Sequence, residues 1–130
     1  LTGAYKDRMK FRLAETYLLL AEAYLRQDMP DKAADAVNEV RRRAKVSDVS
    51  DDEMTMDFLL DERIRELYGE ESRRFTLIRT GKLLERVRKY NPEARDLIQD
   101  FHVLWPIPQA IRDANVGNFP QNPGYEGYEG

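Results

Sequence analysis

The sequence predicts an all-α chain: a tetratricopeptide-like helical hairpin, further helices, and an extended, proline-rich C-terminal tail. Three observations carry that reading. Apolar residues recur at helical spacing from Phe11 to about Tyr90. Turn signals at Asp28-Met-Pro-Asp31, Gly69, Gly81 and Asn91-Pro92 cut the pattern into helix-sized pieces. Beyond Leu104 neither a helical nor a strand period survives, and proline recurs at Pro106, Pro108, Pro120 and Pro123.

The first helix is expected from about Phe11 to Gln27. Leu13, Tyr17, Leu20, Ala21 and Tyr24 form one stripe, and Ala14, Leu18, Ala21 and Leu25 a second beside it. Apolar over so much of its circumference, this helix should be central and touch more than one neighbour. The Asp28-to-Asp31 turn ends it, and Pro30 suits the first turn of a second helix reaching about Lys45. There Ala33, Val37, Val40 and Ala44 face inward. Residues 11–46 thus match one tetratricopeptide unit, in which Ala21 and Ala33 allow close approach. Such repeats have a period of about 34 residues and need about three copies to stand alone. One clear copy is present, so its companions are expected outside this sequence. The opening Leu1-Thr-Gly, without methionine, carries the same expectation of a longer parent chain.

A second helical pair is expected over 50–90. Ser50-Asp-Asp-Glu53 reads as a capping box starting a third helix through Met56, Leu60, Ile64 and Leu67, with a stop near Gly69. A fourth runs from about Glu71 to Tyr90 with Phe75, Ile78, Leu83, Leu84 and Val87, bent or interrupted at Gly81. Residues 91–130 form the tail, expected to be ordered, with room for one helical turn between Pro92 and Asp100.

Length and composition narrow the function. At 130 residues the chain is sized for one domain, 1–130. Charged residues make up 35% and the net charge is −3, which argues against a nucleic-acid partner held by phosphate electrostatics. With no cysteine there are no disulfides, thiolate metal sites or thiol nucleophiles. No apolar run reaches the roughly 18 residues a membrane-spanning helix needs.

Candidate chemistry is sparse. Arg41-Arg-Arg43 falls in the last turn of the second helix, where positive charge complements the helix dipole. Asp51-Asp-Glu53 is explained by the capping box rather than by a metal. His102, the single histidine, has no spacing to Ser72 that supports a nucleophilic triad, and Glu70 and Glu71 are adjacent rather than set across a cleft. Neither catalytic residues nor a cofactor or metal site is predicted. Three aromatics could stack on sugar rings. Trp105, between Leu104 and Pro106, is expected instead to plug the core where the tail docks, whereas Tyr125 and Tyr128 fit either use. Tyr128 lies in a repeated Tyr-Glu-Gly ending. Arg63, Glu66, Arg73, Arg74 and Arg79 are predicted to be structural. The last three are expected to face acids such as Glu62 and Glu66 and to tie the third helix, the fourth helix and the tail together.

Three blocks resemble a known family. The first is Arg12-Leu-Ala-Glu15 with Tyr17-Leu-Leu-Leu-Ala-Glu-Ala-Tyr24, leading to Asn38-Glu-Val-Arg41. The second is Asp61-Glu-Arg63 through Glu66-Leu67 and Arg73-Arg-Phe75 to Leu77-Ile-Arg-Thr-Gly-Lys82. The third is Pro106-Ile-Pro-Gln109, Asp113-Ala-Asn115 and Gln121-Asn-Pro-Gly-Tyr125. In this order they resemble the C-terminal region of SusD/RagB-family proteins. Thr76, Glu71-Ser72, Ala110 and Val116-Gly-Asn118 depart from the family pattern. The resemblance implies a surface-exposed lipoprotein of the outer membrane that captures glycans or other nutrient oligomers without chemistry. Its partner would be a TonB-dependent transporter of SusC type. It also implies that the lipid anchor and much of the ligand-contacting surface lie N-terminal to this segment, leaving the segment mainly scaffold. The competing class is a cytoplasmic tetratricopeptide adaptor gripping a peptide, which would leave the tail unexplained.

Overall fold

The computed structural model describes residues 11–117 and 119–128; the Leu1-Thr-Gly opening, Asn118 and the closing Glu129-Gly130 lie outside the described residues. Among those described, six α-helices form: α1 (Leu13–Leu25), α2 (Pro30–Arg43), α3 (Met56–Glu66), α4 (Arg73–Arg79), α5 (Leu83–Tyr90) and α6 (Gln109–Asp113). Two short 3-10 turns, Asp51–Glu53 and Asp100–Val103, are also present, and there is no strand among the described residues. The chain divides into two compact units, Leu1–Glu71 and Ser72–Gly130.

In the first unit α1 packs chiefly on α2 and more lightly on α3. Ala14, Leu18 and Ala21 of α1 meet Ala33, Ala34, Ala36, Val37 and Val40 of α2, with Val49, Met54, Leu59 and Leu67 closing the core. Alanines at the interface let the two backbones come close, as the hairpin reading requires. Of the α1 stripe Ala14, Leu18, Ala21 and Leu25, the first three go inside and Leu25 is partly buried. Leu13 and Leu20 of the other remain 67% and 41% exposed, with Tyr17 and Tyr24 half-buried between them.

Helix ends follow local chemistry. Proline stands at the first position of α2, where its missing N–H costs nothing. At the far end Lys45 takes a left-handed conformation, so its N–H reaches the Arg42 carbonyl and that of Val46 the Arg41 carbonyl. The buried Asn38 amide then exchanges two hydrogen bonds with Val49, at 3.0 and 2.8 Å, and fastens the following loop to α2. Ser50 does not start α3. Its capping box with Glu53 closes one 3-10 turn only. Met54 then straightens the chain while burying its side chain, and Thr55 caps α3 by accepting from the Phe58 N–H at 3.1 Å.

In the second unit the expected long helix is two. Gly81, at φ +71°, donates to the Ile78 carbonyl and Lys82 to that of Leu77, which closes α4 before α5 begins. Asn91 ends α5, and its side-chain oxygen accepts from the Glu93 and Ala94 N–H groups to open the turn at Pro92. The tail is ordered but not wholly extended. One 3-10 turn forms where the Gln99 N–H donates to Nδ1 of His102, and α6 forms after Pro108.

Candidate functional site

Within the second unit, the tail folds on itself through side chains that substitute for strand partners. The buried Gln121 amide accepts from the Ile107 N–H at 2.7 Å and donates to the Ile107 carbonyl at 2.9 Å. Asn122 donates to the Trp105 carbonyl at 2.7 Å, and the Tyr125 hydroxyl to the Leu104 carbonyl at 2.9 Å. These bonds hold Leu104–Ile107 straight, because backbone groups that cannot pair in a sheet are satisfied one by one. Gly124 makes the turn possible: at φ +84° it lies so close to the Phe101 ring that a β-carbon would overlap it. Tyr125 then sets its ring edge-on to Phe101 at 4.9 Å.

This geometry decides the fate of each predicted aromatic. Trp105 is not a core plug. Its backbone is pinned on both sides, and its side chain turns outward, 59% exposed. The Arg74 guanidinium lies over the ring at 4.4 Å, a cation–π contact. Tyr125 is half-buried, with its hydroxyl and one ring edge already engaged. Tyr128 is 49% exposed. The sequence blocks contained Gln121, Asn122 and Tyr125 but not their roles, and nothing marked Phe101 as the surface on which the chain end rests.

Arg74 also donates to the His102 carbonyl, and its buried Nε has no partner. Arg73 and Arg79 stand at the two ends of α4, each with partners of its own. His102 uses Nδ1 on the Gln99 N–H, which ties the ring to a structural task. Among the described residues, no group of three or more His, Asp or Glu side chains could hold a metal ion.

The first unit carries a set of ion pairs. Arg63 of α3, 1% exposed, grips Glu71 through Nε and Nη2 at 2.7 and 2.6 Å and stands 3.6 Å from Glu15. Its Nη1 is buried without a partner. Glu66 receives Arg12 and, at 2.6 Å, Arg43; Glu62 receives Arg41 and Arg65, each at 2.8 Å. The two acids expected to face the α4 arginines thus have their partners within the first unit. Hydrogen bonds to Glu70 and then Glu66 hold the Arg12 guanidinium above its ordinary pKa. The Arg41-Arg-Arg43 run is fully engaged, since Arg42 holds Asp48 at 2.6 Å. Bonds from the Ser50 hydroxyl and then its N–H hold the Glu53 carboxyl below its usual range. This arrangement holds geometry: Glu62 and Glu66 face guanidinium groups, and the concavity of about 420 Å³ that they border is lined by Arg41 and Arg65 as well.

Comparison with known proteins fits this picture. Residues 2–125 match the SusD family. SusD-like protein P25 of Formosa agariphila is 36% identical over 78% of this chain and 21% of its own length. Starch-binding protein SusD of Bacteroides thetaiotaomicron is 35% identical over 89% of this chain and 21% of its own. SusD-like protein P38 of Formosa agariphila is 32% identical over 75% and 20%. The chain therefore spans about a fifth of the length of the curated relatives it matches. No solved structure matches it significantly. With the match running from before α1 into the locked tail, the chain belongs to the SusD family.

Proposed function

We propose that this chain is a non-enzymatic segment of a nutrient-capturing protein at the outer-membrane surface, and that it serves mainly as scaffold. The captured material would be an oligosaccharide or similar nutrient oligomer, and the protein partner a TonB-dependent transporter of SusC type. Attachment would come from an N-terminal lipid; no helix among the described residues is long and apolar enough to cross a membrane. The observation that carries the reading is the family match along residues 2–125, with a relative named as starch-binding.

The local geometry supports the scaffold role. The side chains of Gln121, Asn122 and Tyr125 are engaged with the tail's own backbone, and the carboxylates of Glu62, Glu66 and Glu71 with arginines. Arg63, Glu66, Arg73, Arg74 and Arg79 are proposed as structural residues. For sugar stacking, Trp105 offers the largest exposed ring, Tyr128 a second, and Tyr125 the least, since its hydroxyl is bonded.

The test uses the full-length protein, titrated calorimetrically with a panel of neutral oligosaccharides and purified from membranes with whatever accompanies it. Binding of at least one oligomer and co-purification of a barrel transporter are expected, and Trp105→Ala should weaken binding by less than about tenfold (~1.4 kcal/mol). A cytosolic protein that binds no oligomer and brings down no barrel would overturn the reading. A complete loss of binding in Trp105→Ala would overturn the scaffold assignment alone.

A further inference from the structure

Arg74 of α4 is half-buried, yet it touches only neutral groups. Nη2 donates to the His102 carbonyl, and the guanidinium lies over the Trp105 ring at 4.4 Å. Its buried Nε has no partner, and among the described residues Arg74 enters no ion pair. Other arginines drawn out of water are held differently. Arg12, Arg41 and Arg63 each grip a carboxylate. Arg112 spreads its three nitrogens over the Phe119 carbonyl, the Gln109 amide and the Gly127 carbonyl. A cation moved partly out of water needs an acid or a full set of acceptors to offset its desolvation. Arg74 has one acceptor and one aromatic face. Its Nη1 is neither bonded nor buried, so it can still donate outward.

Trp105 gives this cation a neighbour of definite chemistry. The ring is 59% exposed on a backbone that cannot shift, since Asn122 holds the Trp105 carbonyl and Tyr125 that of Leu104. With the guanidinium on one face, the other face and the edge are left for a ligand. An outward N–H donor beside an open aromatic face fits a molecule that is anionic and also carries a flat surface of C–H groups. A lone carboxylate would leave the indole uncovered, and a neutral sugar would leave Arg74 uncompensated. A nucleic-acid strand would meet a chain of net charge −3.

We propose that Trp105 and Arg74 form an accessory subsite for an acidic sugar residue. The indole stacks on the sugar's C–H face, and Nη1 of Arg74 donates to its carboxylate or sulfate at the ring's edge. The inference rests on the oligosaccharide reading above and adds the class of sugar. It agrees with a segment that is mainly scaffold, because one ring and one partly exposed cation contribute modestly to affinity.

The test follows the Trp105 indole N–H by NMR in the full-length protein, assigned with Trp105→Phe, as monosaccharides are added. Glucuronate and a glucose sulfate should each shift the signal saturably at about 1–50 mM, the range open to so small a ligand. Glucose and the methyl ester of glucuronate should bind at least about threefold more weakly. The ester removes the charge from the ligand and leaves the protein untouched. Arg74→Gln should lower glucuronate to the level of glucose while the Ile107 amide keeps its position, the sign that the tail lock survives. A response to one of the two acids alone supports the subsite and names its anion. No saturable shift with either acid, or equal affinity for glucuronate and its ester, would overturn the proposal. So would a response to acetate or to a nucleoside monophosphate as strong as that to glucuronate. The calorimetric panel reads separately: oligomer binding by a protein whose Trp105 signal ignores both acids overturns the subsite and leaves the nutrient reading standing.

Discussion

Replacing Arg63 with methionine keeps the apolar stem and most of the volume but removes the cation that faces Glu71. Both side chains are almost wholly out of water, 2% and 4% exposed, so solvent screens the pair little. Two opposing effects set the magnitude. Stranding a buried carboxylate costs about 3–5 kcal/mol. Removing the unpartnered Nη1 of Arg63 recovers about 1–2 kcal/mol, because an unsatisfied buried donor disappears with it. Glu71 also keeps a further interaction, which softens the loss. The expected net destabilisation is about 2–3 kcal/mol, a large fraction of the ~5–15 kcal/mol typical of a folded domain. Urea unfolding of Arg63→Met, Glu71→Gln and the double variant measures it. The double variant should be more stable than the sum of the singles implies, by about 1–3 kcal/mol, because it strands neither charge. Additive single effects, or an Arg63→Met variant within about 0.5 kcal/mol of the parent, would refute the view that this pair organises the end of α3.

Ala21→Leu should destabilise by about 1–3 kcal/mol in urea unfolding, since Ala21 is fully buried where α1 meets α2; a neutral result would mean the helices do not approach as described. Gln121→Ala should cost about 2 kcal/mol locally by freeing both backbone groups of Ile107. Amide exchange at Ile107 should then accelerate while α1 and α2 keep their protection, and unchanged exchange would count against the lock. For Glu53→Ala the sign follows from a carboxyl held below its usual range. The stabilisation is present above that range and is lost as pH falls through the lowered value. The melting temperatures of parent and variant should therefore converge toward acid; a constant gap between about pH 7 and pH 3 would sink the capping role.

How much of this was legible in the sequence depends on how local each signal is. The hairpin could be read directly, because alanines and large apolar residues repeat at helical spacing and Pro30 marks the start of α2. Gly81 was legible for the same reason: a left-handed residue ends a helix wherever it stands. Ser50 misled because a capping box specifies a helical start but not its length, and burial of Met54 ended the turn after Glu53. Trp105 misled differently. A tryptophan between leucine and proline looks like core by composition, yet its direction is set by Gln121, Asn122 and Tyr125, which bond to the backbone around it from 14 to 21 residues away. The partners of Glu66, Arg12 and Arg43, are non-local in the same way, 54 and 23 residues away. Their charges were visible, but which acid meets which arginine depends on packing that no window of sequence contains.

The tail residues that made the family recognisable are those the fold consumes. Gln121 satisfies Ile107, Asn122 satisfies Trp105, Tyr125 satisfies Leu104, and Gly124 gives Phe101 room. On the proposed scaffold reading, the hydrogen-bonding groups of Gln121, Asn122 and Tyr125 serve the segment's own backbone, and Gln121-Asn-Pro-Gly-Tyr125 would report the architecture of this segment rather than what the whole protein captures. Specificity would then have to lie in residues that the motif does not fix. On this chain that points to the exposed Trp105 face and, for most of the binding surface, to the remaining four-fifths of a family-length protein. Exchanging the tail between two family members of different ligand preference should accordingly leave each preference with its N-terminal part. A preference that travelled with the tail would show that these locked residues also read the ligand.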